Sequence, residues 1–468
     1  MKKAVSILLI LILIFTLLIS SAFAETPSYK YYSDVSSNDS CYDAVNYLYE
    51  HKVFNGYTLP TGTTLGTFVP ENSITRGQIA VLLWRMLNCP QPSGTLMDFN
   101  DCDENAYYYE AIRWASSSNV GIINGYGDGS FAPNVSITHQ AACILLYRFA
   151  CHCGYASNSA AAQQNYINIF NSSSLTNKSS FAENIKASAG WAYSYGIIDN
   201  NVVPAAFVSR GTAAEYIYSL YTTFQNKYGL AVVNTHNMSY VAPCGEGMKN
   251  LFVHYGATGA ISKQDITKAT FHNEMANAFS NAKALDICYL YVASHGSTSG
   301  LALFTDTYLS PDFLRTEIDR FNGTFVVLIS GCHTGTYISE DSDGNSDVFD
   351  ANLFVSGIYD DSLNLNYSED LRDSKRIKVI CSSRKDELSY STNRLATNYW
   401  CLGAGYNYIT NEFVSLYADS NSDGRISLSE LCSYSYEQVN AQLSDYGYIQ
   451  TVICYPQNDS FIIFENHY

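Results

Sequence analysis

The sequence predicts a multidomain chain, an N-terminal all-α repeat bundle followed by an α/β domain built as an α/β/α sandwich around a mostly parallel sheet. Three observations predict it. Between residues 28 and 222 one pattern recurs, an amphipathic helix, a glycine-containing turn, an aromatic-x-Pro step and an Ile-Thr or Val-Ser pair that opens a second helix. Further on, Ile287–Ala293 and Thr324–Ser330 are charge-free runs rich in β-branched and aromatic residues, the pattern of parallel strands covered on both faces. Between those runs, Ser310-Pro311-Asp312 starts a helix-length segment ending near Arg320, as a crossover between parallel strands requires.

At the N-terminus, Lys2 and Lys3 precede an apolar run from Ala4 to about Ile19, and Ala22-Phe23-Ala24 supplies a small-x-small cleavage pattern. Residues 1–24 therefore read as a secretory signal peptide, with an uncleaved membrane anchor as the alternative. No other segment is long and apolar enough to span a bilayer.

The first repeat, residues 28–90, carries Tyr32-Ser33-Asp34-Val35, a helix from Tyr42, Gly56-Tyr57, Phe68-Val69-Pro70 and Ile74-Thr75-Arg76-Gly77-Gln78. The second, residues 95–152, repeats it with Phe99-Asn100-Asp101-Cys102, a helix from Tyr109, Gly125 to Gly129, Phe131-Ala132-Pro133 and Ile137-Thr138-His139-Gln140. A degenerate third, residues 165–222, keeps Trp191-Ala192, Gly196-Ile197-Ile198 and Val208-Ser209-Arg210-Gly211, and residues 157–164 read as an insertion. Recurrence at this spacing marks a repeat architecture.

These segments resemble S-layer homology (SLH) modules. The resemblance implies a three-repeat helical bundle that binds acidic, often pyruvylated, cell-wall polysaccharide, with Arg76, Gly77, Arg210 and Gly211 as polymer-binding residues. An arginine at a helix N-terminus can pair with a carboxylate while the orphan amides donate to the same anion. His139 replaces the second arginine, which predicts a weak or lost pocket near neutral pH. The plainer alternative is that all three positions only punctuate helix starts.

The two buried runs each end in a reactive side chain. Ile287–Ala293 leads into Ser294-His295-Gly296 and Thr324–Ser330 into Gly331-Cys332, so His295 and Cys332 lie 37 residues apart. Adjacent strands sit about 4.8 Å apart, and sites in open α/β sheets lie at the carboxyl ends of strands, so two residues leaving neighbouring ends can face one substrate. A thiolate is a strong nucleophile near neutral pH, and an imidazole beside it can handle the proton of a leaving amine. Glycine next to each group allows close approach of a substrate backbone. A buried structural cysteine and a strand-capping histidine are the alternative.

These features resemble the caspase-like cysteine peptidases, closest to the legumain side that includes gingipain-like bacterial enzymes, over residues 228–468. Cys332-His333-Thr334-Gly335 resembles that family's Cys-x-Ser/Thr-Gly, and the strand ending at Cys381 leads into Ser382 to Tyr390, which resembles the stretch lining the pocket for P1, the residue before the scissile bond. The resemblance implies a Cys332 nucleophile, a His295 acid or electrophilic partner, and an oxyanion hole from the Gly296 and Cys332 amides. It implies pocket residues Ser382, Ser383, Asp386, Glu387 and Ser389, where the two acids could select a basic P1 or form a mixed pocket for asparagine; a solvated charged loop is the alternative for Asp386 and Glu387. Two departures stand out: Gly331 replaces alanine, and His333 offers a second imidazole next to the thiol.

From Asp419 to Glu430 the chain matches an EF-hand loop, with oxygen ligands at Asp419, Asn421, Asp423, Ser427 and Glu430, the Arg425 carbonyl, and Gly424 at the sharp turn. Helices are expected before it, at 410–418, and after it, from 431. A single loop of this kind predicts a structural Ca²⁺, with no organic cofactor; an Asp/Gly-rich turn capping a helix is the alternative. Asp341 to Asp347 has its glycine in the wrong place for such a loop and reads as an exposed, possible processing site.

Composition agrees with an exported chain: 47% hydrophobic residues, 15% charged and 39 Tyr. The net charge of −17, or −19 without the leader's two lysines, argues against nucleic-acid and anionic-membrane partners. Thirteen cysteines leave at least one unpaired, and Cys151-His152-Cys153 lacks the second pair a zinc site needs. The reading is a secreted cysteine endopeptidase tethered to the wall of a bacterium, a Gram-positive one by expectation, acting on protein or peptide substrates. An inactive wall-bound adhesin or S-layer structural protein is the runner-up, and amidase or transpeptidase action on wall peptides a third reading.

Overall fold

A computed structural model describes residues 28, 30–57, 65–236, 238–304, 307–338, 376–390, 395–456 and 459–465. The expected leader and the acidic stretch at 341–347 lie outside the described residues. Among the described residues no helix is long and apolar enough to cross a membrane.

The repeats fold as helix pairs: α1 (Tyr42–Glu50) with α2 (Arg76–Met86), α3 (Tyr109–Ser116) with α4 (His139–His152), and α6 (Lys186–Ser194) with α7 (Arg210–Phe224). The insertion is longer than expected. It forms a helix of its own, α5 (Ala160–Ser172), which runs past residue 165 and packs on α6.

Each second helix starts where its sequence says. Thr75, Thr138 and Ser209 are extended N-caps whose hydroxyls accept from the amides of Gln78, Ala141 and Thr212, and Gln78 returns a bond to the Thr75 amide. Just before the caps, the three repeats meet. Ile74 N–H donates to Val208 O at 2.9 Å, Val208 N–H to Ile137 O at 2.9 Å, and Ile137 N–H to Ile74 O at 3.0 Å. This closed ring of three backbone bonds is completely buried, with side-chain exposures of 0–1%. The helices follow the same cycle, α3 packing on α2, α6 on α4 and α1 on α7.

The second domain begins two residues after α7 with β1 (Lys227–Val233), followed by α8 (Ala242–His254), β2 (Ile261–Gln264), α9 (Lys268–Phe279) and β3 (Ile287–Ala293). A small antiparallel sheet of β4 (Gly296–Ser297), β5 (Gly300–Leu303) and β6 (Thr307–Leu309) leads to α10 (Pro311–Asp319) and β7 (Thr324–Ser330). Next come β8 (Ile377–Cys381), α11 (Leu395–Gly403), the hairpin β9 (Tyr406–Asn407) and β10 (Glu412–Phe413), then β11 (Ile426–Ser427), α12 (Leu428–Ser444), β12 (Ile453–Tyr455) and β13 (Ile462–Phe464). The central sheet runs β12-β8-β7-β3-β1-β2, parallel throughout except for β12.

Strand alternation sorts side chains to two covered faces. Tyr289, Tyr291, Val326 and Leu328 pack with α8, α11 and α12 on one side, and Cys288, Leu290, Val327 and Ile329 with α9 and α10 on the other. This is the expected sandwich. Ser310 caps α10 by accepting from Phe313 N–H, as Ser-Pro predicts.

The direction of strand addition reverses between β1 and β3, which opens a crevice at their carboxyl ends.

Replacing a ring residue tests the closure of the bundle. Ile137→Ala removes a fully buried side chain at the three-way junction and should cost about 2–5 kcal/mol, read as a lowered unfolding midpoint in urea.

Candidate functional site

The parallel pairing of β3 with β7 is in register over all seven residues, from Ile287↔Thr324 to Ala293↔Ser330. His295 and Cys332 each stand two residues beyond the last matched pair. Both line one cavity of about 140 Å³ at the β1/β3/β7 strand ends. His295 is exposed and Cys332 half-buried. No hydrogen bond joins the two side chains; Cys332 Sγ instead lies 3.4 Å from the Ser389 N–H and 3.7 Å from its carbonyl.

The glycines here are dictated by crowding. A Cβ on Gly296 would sit 1.8 Å from the Cys332 carbonyl oxygen, and one on Gly331 2.4 Å from that of Ser294. Gly331, the departure from alanine noted in the sequence, thus accommodates the neighbouring strand end. His333 is not a rival for the thiol. It sits at φ +57° with Nδ1 2.8 Å from the Lys385 carbonyl and its N–H on Glu387 O at 2.9 Å.

Of the five expected pocket residues, only Ser389 lines the cavity. Ser382 and Ser383 are fully buried and act as a clamp. The Ser382 hydroxyl accepts from Gly331 N–H, both serine hydroxyls lie 3.0 Å from Gly331 O, and Thr334 Oγ1 bonds to Ser383. They hold the cysteine loop. Glu387 is consumed internally, its oxygens accepting from Thr451 Oγ1 at 2.7 Å, Thr451 N at 2.8 Å and Arg384 N at 3.3 Å. Asp386 points to solvent. Neither acid lines the cavity beside Cys332.

Residues that the sequence reading did not single out line the cavity. Met238 and Val241 follow β1, Tyr291 lies on β3, and Ala396 and Thr397 open α11. Gln450 also escaped notice: it accepts from Tyr390 N–H at 2.7 Å and donates to Ser382 O at 2.7 Å, fixing the 382–390 segment. The alternation of β3 already assigns Tyr291 to the α8/α11 face, but nothing local marks the other residues.

At the helix starts the backbone amides are engaged within the bundle. The amides of Arg76 and Gly77 donate to Val135 O and Pro133 O, those of His139 and Gln140 to Ala206 O and Pro204 O, and those of Arg210 and Gly211 to Asn72 O and Pro70 O. No orphan amides remain there for an anion, because the loop of repeat 2 supplies carbonyls to the helix start of repeat 1, that of repeat 3 to repeat 2, and that of repeat 1 to repeat 3. Arg210 is 3% exposed, with Nε on Phe68 O at 2.8 Å, a terminal nitrogen on Asn55 O at 3.3 Å and its guanidinium over Phe54, Tyr57 and Phe68. It staples the third repeat to the first. Arg76 makes the same Nε bond to Phe131 O at 2.9 Å and lies over Tyr126 and Phe131, but it is only half-buried.

In the 419–430 loop, Asp419, Asn421 and Asp423 accept backbone amides of residues 423–425, and Gly424 turns at φ +81°. The expected helix at 410–418 does not form: Phe413 pairs with Tyr406 in the β9–β10 hairpin and stacks on His254 at 3.9 Å. The helix after the loop forms as α12. Glu430 is folded back, accepting from Ser427 N and Oγ in a capping box and from Ser420 Oγ. Among the described residues no three His, Cys, Asp or Glu side chains converge as a metal site.

Two segments, residues 31–80 and 98–143, match the S-layer homology domain family. The chain carries SLH domains. An endoglucanase of Bacillus sp. (strain KSM-635) is 33% identical over 151 residues, 31% of this chain and 15% of that protein. A cellulosome-anchoring protein of Acetivibrio thermocellus is 32% identical over 87 residues, 18% of this chain and 19% of that one. The chain thus spans less than a fifth of either relative. The solved structure of caspase-1 from Spodoptera frugiperda aligns with 48% of this chain and 85% of its own, at 11% identity and a TM-score of 0.30. At that score the alignment adds nothing to the sheet order and register given above.

SLH domains indicate attachment to the bacterial cell surface. In the SLH bundle of this chain, the second repeat's helix start has no arginine: His139 Nδ1 lies 2.7 Å from the Tyr216 hydroxyl, and burial pushes the imidazole pKa down, with Asp199 opposing in part. Burial does the same to His152. Both rings are neutral at pH 7, and the His139 ring keeps its hydrogen bond with the phenol.

A folded-state pKa below the unfolded value of about 6.5 leaves stability intact above that pH, and stability is lost as the pH falls from there through the lower folded values. Thermal unfolding should therefore show a falling midpoint between pH 7 and pH 5, and a His139→Gln/His152→Gln variant should flatten that slope.

Proposed function

We propose that this chain is an exported cysteine endopeptidase of caspase-like type, held at the cell wall by its SLH bundle. The observation that carries the reading is the in-register β3/β7 pair, which aims one imidazole and one thiol into the same cavity at the strand ends. The Cys332 thiolate attacks the scissile carbonyl carbon, and the oxyanion is held by the Gly296 and Cys332 amides. The C–N bond then breaks as His295 gives a proton to the leaving amine, and water hydrolyses the thioester to regenerate the thiol. The 382–383 clamp and Gln450 act as positioning residues that keep the cysteine loop in place.

Wall attachment rests on the SLH segments, with acidic secondary cell-wall polysaccharide of a Gram-positive bacterium as the proposed ligand. Arg76 is the favoured contact, since its guanidinium is half-open while that of Arg210 is closed over. Substrates are proteins or peptides at the cell surface.

Hydrolysis of a labelled, unfolded casein by the mature protein tests the enzyme reading. Cys332→Ala and His295→Ala should each lower kcat/KM by about 10³-fold or more with unchanged melting temperature. Equal, negligible turnover by all three proteins would favour the inert wall-bound reading.

Calcium at 419–430 belongs to the proposal as a structural ion outside the reaction. The donors are all oxygen, which suits a hard cation: Asp419, Asn421, Asp423, Ser427 and the Arg425 carbonyl would hold it, with Glu430 joining once released from its cap. Millimolar Ca²⁺ should then raise the melting temperature, and Asp419→Ala should abolish the rise.

A further inference from the structure

The cavity beside Cys332 has a definite chemistry. Tyr291 and Thr397 line it, their hydroxyls paired at 2.7 Å and both residues at most 2% exposed. Its walls include Met238, Val241, Tyr390 and Ala396. No Asp, Glu, Lys or Arg lines it among the described residues. Among the described residues the titratable groups at the cavity are His295 and Cys332 at its mouth, the Tyr291 and Tyr390 phenols and the Cys244 thiol, 3.8 Å from the Tyr408 hydroxyl. The acids that the sequence offered for a basic substrate residue are elsewhere, Glu387 bonded to Thr451 and Asp386 in solvent.

Size sets a second limit. A volume of about 140 Å³ is comparable to the roughly 150 Å³ apolar cavity that takes up benzene. A charged side chain entering it would lose its hydration and meet hydroxyls already bonded to each other, whereas an apolar one would replace water at no such cost.

We infer that the cavity is a P1 pocket for an uncharged, apolar side chain of about the size of leucine, methionine or phenylalanine. This rests on the peptidase reading above and adds its specificity. Met238, Val241, Ala396 and the Tyr291–Thr397 pair are the specificity-determining residues. Discrimination against arginine or aspartate at P1 should exceed about 100-fold in reaction rate.

The test uses the mature full chain, as purified and after limited proteolysis, with peptidyl acyloxymethyl ketones that differ only at P1: Leu, Met, Phe, Asn, Asp, Lys or Arg. Intact and peptide mass spectrometry reads the rate of Cys332 modification, with Cys332→Ala as the blank. Faster labelling by the Leu, Met and Phe probes is the expected result. Preferential labelling by Arg, Lys, Asp or Asn probes would leave the peptidase reading standing and overturn the apolar pocket. No labelling of Cys332 by any probe would overturn the peptidase reading and the pocket with it. Val241→Asp supplies a gain-of-function arm, with Ala396→Asp as a second position should the first variant melt early. Either should admit the Arg probe and slow the Leu probe, and an unchanged P1 order in a folded variant would overturn the assignment of the walls.

Discussion

Everything at the candidate active site depends on one constraint, the register between β3 and β7. Side chains alternate along a strand, so a slip of one residue would turn Tyr291 and Ala293 away from the α8/α11 face and move His295 relative to Cys332. The register is held from both ends. At the start, Asp286 O accepts from Thr324 N–H, and its buried carboxylate accepts from Asn226 N, Lys283 N and the Tyr155 hydroxyl. At the far end, Ser294 N–H meets Ser330 O, and the two glycines let the emerging loops touch. The chemistry of the site is thus a property of how two buried strands are aligned, with little contributed by contacts between the reactive groups themselves.

Much of this was legible in the sequence because the signals were local. The strand runs, the Ser-Pro helix start, the helix caps and the repeat pattern each sit within a few residues of what they determine. What could not be read was where long-range partners would come from. Glu387 looks like a pocket acid until Thr451, 64 residues away, occupies its oxygens. The helix starts look like anion sites until the carbonyls of another repeat fill them. The 410–418 segment has helical composition, yet a hairpin pairing and the His254 ring take Phe413 instead. In each case a distant group outcompeted a local tendency.

The thirteen cysteines divide in the same way. All are free thiols in the structure, so the fold is held by its cores and polar clamps rather than by cross-links. Burial pushes the Cys41 and Cys102 thiols up to about 11, and those of Cys288, Cys381 and Cys401 well above the ordinary value, which makes them poor nucleophiles. Cys332 is set apart by place: it is a half-buried thiol at a cavity mouth.

The joint between the two domains has almost no slack. Only Gln225 and Asn226 separate α7 from β1. Leu285 of the second domain sits in the core of the first, and Glu465 reaches Tyr47, His51 and Arg425, while Arg425 also pairs with Glu50. A flexible leash would let a surface protein sweep a wide volume, but a stiff bracket does not. Wherever the SLH bundle is fastened, the cavity at Cys332 is held at one height and one angle above that point.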